Sequence, residues 1–75
     1  MNKGMLLGLI KQTGTPVYKV VSEINDMGIP MTTSTFYKGL NNQREFKANE
    51  IVALSKVVNL NREEVMDIFF KEMVS

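Results

Sequence analysis

The chain has 75 residues, 44% of them hydrophobic, which sets it apart from disordered chains and near the lower size at which one domain folds unaided. Nine basic and eight acidic residues leave a net charge of +1, so bulk charge does not hold this protein to nucleic acid. With no cysteine and no histidine, a disulfide framework, the usual zinc sites and the common nucleophile–base pairings are all excluded.

The chain reads as all-α, a small bundle of five short helices with no strand pattern, repeat or low-complexity tract. Helix 1 is expected from about Lys3 to Gln12, with Leu6, Leu9 and Ile10 on one face and Thr13-Gly14 ending it. Its apolar run from Met5 to Ile10 is stopped by Lys11, too early to span a bilayer or to form a signal-peptide core. Residues 1–75 are therefore read as a single soluble, intracellular domain. Helix 2 is expected to start with Thr15 as N-cap and Pro16 in the first helical position, where a missing N–H is harmless. Val17, Val20, Val21, Ile24 and Met27 then make its apolar stripe, and Gly28 supplies a left-handed terminator.

Helix 3 begins after Thr32 or Thr33 and places Phe36 and Leu40 on one buried edge, with Gly39 fraying its end. Helix 4 is expected from about Ala48 to Val58, turning Ile51, Leu54, Val57 and Val58 inward. Helix 5 carries a full entry signal: Asn61 as N-cap, Glu64 for a capping box, and Leu60 to staple against Val65. Val65, Ile68, Phe69 and Met73 form its stripe, which leaves Phe70 and Val74 as a candidate self-association patch.

Catalytic chemistry has little to stand on. Glu63 and Asp67 share a helix face, but they read as a solvated first turn near the positive end of the helix dipole. A glycine-rich phosphate loop is missing, since Gly4 and Gly8 have neither the spacing nor the preceding strand. No enzyme activity, cofactor, metal or small-molecule substrate is expected.

Four segments in order carry a resemblance: Gly28-Ile29, Ser34-Thr35-Phe36, Phe46-Lys47-Ala48-Asn49-Glu50-Ile51, and Leu60 through Phe70 with its Asp67-Ile68-Phe69-Phe70 end. On these residues nearly the whole chain resembles the Cro/repressor-type helix-turn-helix family of temperate phages. It looks particularly like the small modulator-of-repression (antirepressor) proteins. The resemblance implies a helix-turn-helix made by helices 2 and 3, in a transcriptional regulator of the lysogenic/lytic switch in the bacterial cytoplasm. Two features depart from the family pattern. Pro30-Met31-Thr32-Thr33-Ser34 extends the turn beyond its minimal form, and Ile24 or Val21 stands where the family carries an alanine. A wider crossing of the two helices follows.

If Phe36 and Leu40 are core, the outward positions of helix 3 are Thr33, Ser34, Tyr37, Lys38 and Asn41, with Thr32 at the cap. The hydroxyls and Asn41 suit base edges or phosphates, and Lys38, Arg44 and Lys47 are the phosphate candidates. Tyr37 and Met31 pull toward a protein partner, because aromatic residues and methionine are enriched in protein interfaces. From Met27 to Tyr37 the chain carries no charge. Two functions use this face. One is an antirepressor that docks on a cognate phage repressor's DNA-binding domain and competes with operator DNA. The alternative is a Cro-like homodimer that binds operator DNA itself, with a salt slope near −3 per protomer if about three phosphates are contacted.

Overall fold

The computed structural model describes residues 1–70, and these form five helices with no strand among them. Several helix boundaries follow from a local polar group or a left-handed residue. Helix α1 (Lys3–Thr13) opens on Asn2, whose side chain accepts the Met5 N–H at 3.1 Å, and closes on Gly14 at φ 71°. It buries Leu6 and Ile10 and leaves Leu9 half-buried.

Helix α2 (Val17–Asp26) starts differently from the sequence expectation. Pro16, in extended backbone, is the residue before the first helical turn, and its carbonyl accepts the N–H groups of Lys19 and Val20. Thr15 is not the cap; its own N–H bonds back to the Thr13 hydroxyl at 3.2 Å. The stripe Val20, Val21, Ile24 is buried as expected, but Met27 is 46% exposed. The helix has already ended at Asp26, so Met27 leaves the helical register that would have carried it inward, and Gly28 follows at φ 86°.

Helix α3 (Thr33–Leu40) is capped by Thr32, which accepts the Thr35 N–H at 3.0 Å. Phe36 and Leu40 are fully buried. Helix α4 (Ala48–Val58) has the expected bounds, with Leu54 and Val58 buried, Ile51 and Val57 half-buried, and Asn59 closing it at φ 60°. Helix α5 (Arg62–Val65) shows the expected reciprocal cap: Asn61 accepts the Glu64 N–H at 2.7 Å and Glu64 accepts the Asn61 N–H at 2.9 Å.

Helix α5 then widens into a π turn, Met66–Phe70, so its inward stripe is not a regular helical one. Among its described residues Ile68 alone is fully enclosed, Val65, Phe69 and Phe70 are half-buried, and Met73 and Val74 lie outside the described residues. Helix α2 packs against α3 and α4, while α1 lies on α4 and the π turn. The Asn2 N–H bonds the Ile68 carbonyl at 2.7 Å and so ties the start of the chain to the fifth helix. No helix of the described residues is long and apolar enough to cross a membrane.

Candidate functional site

The third helix presents one face to solvent because its other face is fixed at both ends and in the middle. Phe36 and Leu40 anchor the inner side, and Gly39 between them lets the Phe46 ring lie directly on the helix backbone. A Cβ at position 39 would sit 2.5 Å from the Phe46 ring, so this glycine is a packing requirement and not the fraying helix end expected from sequence. The Phe46 ring in turn meets Phe36 and Phe69 edge-on, with centroids 5.7 and 6.1 Å away.

The turn before α3 is held by Asn25. Its amide nitrogen donates to the carbonyls of Val21 (3.0 Å) and Met31 (2.7 Å), and its amide oxygen accepts the Met31 N–H at 3.1 Å. One side chain thus satisfies both backbone groups of Met31 and sets the direction in which the chain enters α3. Asparagine near a helix end is a turn-former by composition, but nothing local indicates that its partner lies six residues on. With its backbone clamped this way, Met31 turns inward and is only 6% exposed. The expected surface methionine beside Tyr37 is therefore a core residue.

Thr33, Ser34, Tyr37, Lys38 and Asn41 are all exposed, as the helical spacing predicts. Tyr37 is 44% exposed, with the edge of its ring system against Phe36 at 6.4 Å. The Thr32 hydroxyl is committed locally, accepting the Thr35 N–H and donating to the Thr35 hydroxyl at 2.8 Å. Asn41 accepts a hydrogen bond from the Lys3 ammonium at 2.6 Å. Lys3 thereby joins the C-terminal end of α3, where a cation is favoured by the helix dipole. No sequence pattern linked residues so far apart along the chain.

Arg44 is the second correction. Its guanidinium reaches the two carboxylate oxygens of Glu50 at 3.0 and 3.2 Å, and Glu50 is only 5% exposed. Glu50 also accepts the Lys47 N–H at 2.7 Å, and the guanidinium stands 5.9 Å from the Phe46 ring centre. A carboxylate buried at the start of α4 needs this cation, and the loop from residue 41 to 47 curls to deliver it. Arg44 is consequently withdrawn from the phosphate candidates, its second terminal nitrogen buried without a hydrogen-bond partner. Lys38 and Lys47 remain exposed.

Set against known proteins, the chain matches no family model, no curated protein and no solved structure. The chemistry of the face therefore has to speak alone. It offers hydroxyls at the helix start, a phenol in the middle, an amide at the end and ammonium groups beyond. It holds no guanidinium, the group best shaped to grip a phosphate or a guanine edge in two-pronged fashion.

Proposed function

We propose that the protein is a helix-turn-helix regulator of the antirepressor kind, whose α2–α3 surface docks on the DNA-binding domain of a cognate phage repressor and competes with operator DNA. The observation that carries this reading is the commitment of Arg44 to Glu50, which leaves the α3 face without an arginine while Tyr37 stands exposed on it. An aromatic anchor amid small hydroxyls, with the cations displaced toward the helix end, suits a protein surface better than a phosphate backbone. The residues assigned to contact are Thr33, Ser34, Tyr37, Lys38 and Asn41. The test is an NMR titration of the chain with the proposed cognate repressor. Shifts concentrated on those residues are expected, with Tyr37→Ala weakening the complex about tenfold or more, roughly 1.4 kcal/mol. A titration that leaves those resonances unmoved rejects the reading.

A Cro-like operator binder is supported by one observation, the Lys3 ammonium held at Asn41, which replaces the lost Arg44 cation. Lys3, Lys38 and Lys47 would then supply the phosphate contacts, and the salt slope stays near −3 per protomer. Under this reading Lys3→Ala and Lys38→Ala reduce DNA affinity while Arg44→Ala acts only through stability.

A further inference from the structure

We infer that the groove between the C-terminal end of α2 and the outer side of α4 is a two-fold contact between two copies of this chain. The groove is an open cavity of about 410 Å³ lined by Met27, Ile29, Asn49, Val52, Ala53 and Lys56. Met27 and Val52 stand 46% and 52% exposed, large apolar groups on a surface that gains nothing locally from them. Valine is a weak helix former, so helix propensity does not account for Val52 on the solvent side of α4. No residue of α3 lines the groove, which separates it from the face proposed above to bind a repressor.

The charges around the groove identify its occupant. Glu23 and Asp26 on the α2 side line an adjoining cavity that shares Met27 and Lys56 with the groove, and none of these three charged residues belongs to an ion pair among the described residues. A two-fold axis running along the groove lays the α4 side of each copy over the α2 side of the other. Lys56 of each copy then meets Glu23 and Asp26 of its mate, and Val52 meets Met27. A patch with opposite signs on opposite sides of an apolar centre is self-complementary, which an isologous contact requires. The size of the molecule limits the strength of the contact. A tenth of its 4890 Å² surface is about 490 Å² per copy, short of the roughly 800 Å² typical of stable complexes, so the dimer is a weak one.

Sedimentation equilibrium of the full chain, from about 10 µM to 1 mM, tests this on the scale that a weak dimer occupies. The mean mass is expected to climb from one chain toward two across that range. Val52→Glu should hold it at one chain, a weakening of at least about tenfold. Lys56→Glu should do the same, and combining it with Glu23→Lys and Asp26→Lys should restore the dimer. Circular dichroism reports whether Val52→Glu keeps its helices; if it does not, the charge-swap series, made outside the core, decides alone. A single-chain mass throughout, a dimer indifferent to Val52→Glu in the folded state, or a swap that fails to restore association would overturn the inference.

Discussion

The two connections that flank α3 are both pinned by one side chain making several hydrogen bonds, yet they are built from opposite materials. The turn from residue 27 to 32 is held by Asn25, a neutral amide at an exposed position that bonds both backbone groups of Met31. The loop from residue 41 to 47 is held by Glu50, a buried carboxylate that needs the Arg44 guanidinium beside it. Neutral pinning leads into α3 without adding charge to it. Ionic pinning on the far side consumes an arginine that would otherwise face solvent. The contrast explains how a chain with a local excess of basic residues between Phe36 and Lys47 still presents a largely neutral helix.

Removing the pins one at a time should separate the two connections. Glu50→Ala is expected to be the most damaging, at about 3 kcal/mol in a urea titration, because it leaves the Arg44 charge partly buried and frees the Lys47 N–H. Asn25→Ala should cost about 2 kcal/mol, since both backbone groups of Met31 lose their partner. Asn25→Asp should recover at most the bond from the Met31 N–H, because a carboxylate has no hydrogen to give the carbonyls of Val21 and Met31. If the two alanine variants prove equally mild, the pins are not what fixes α3.

The contact between the helix and its following loop sharpens the same comparison. Gly39→Ala should destabilise by about 1–2 kcal/mol, the overpacking against Phe46 outweighing the better helix propensity of alanine. Adding Phe46→Leu should make the Gly39→Ala change smaller than it is alone, a coupling readable in a double-mutant cycle. Tyr37→Ala has the smallest expected effect on stability, within about 0.5 kcal/mol by thermal melting, because the ring lies outside the core. A large loss there would mean that Tyr37 is structural rather than a contact residue.

Elements with local punctuation were legible in the sequence. The left-handed glycines at 14 and 28, the Asn61–Glu64 box and the Phe36–Leu40 edge each depend on residues within a turn or two of one another. What stayed hidden was tertiary. Met31 looks exposed until the Asn25 clamp fixes the path of its backbone. Arg44 looks like a phosphate ligand until the loop brings it to Glu50. Gly39 looks like a weak helix end until the Phe46 ring is placed on it. Lys3 joins the face only because the start of the first helix comes within hydrogen-bond reach of Asn41 at the end of the third. The outward residues of α3 were readable because helical period alone decides them; the charge of the face was not, because it depends on which cations find partners elsewhere.

The proposed division between a neutral recognition face and a cation spent on structure is tested most directly by a gel shift of the operator region. Three samples are compared: this protein alone, the proposed cognate repressor alone, and the two together. The account predicts no shift from this protein by itself and loss of the repressor's shift when both are present. A shift of the operator by this protein alone, with the repressor's own shift unaffected, would contradict it.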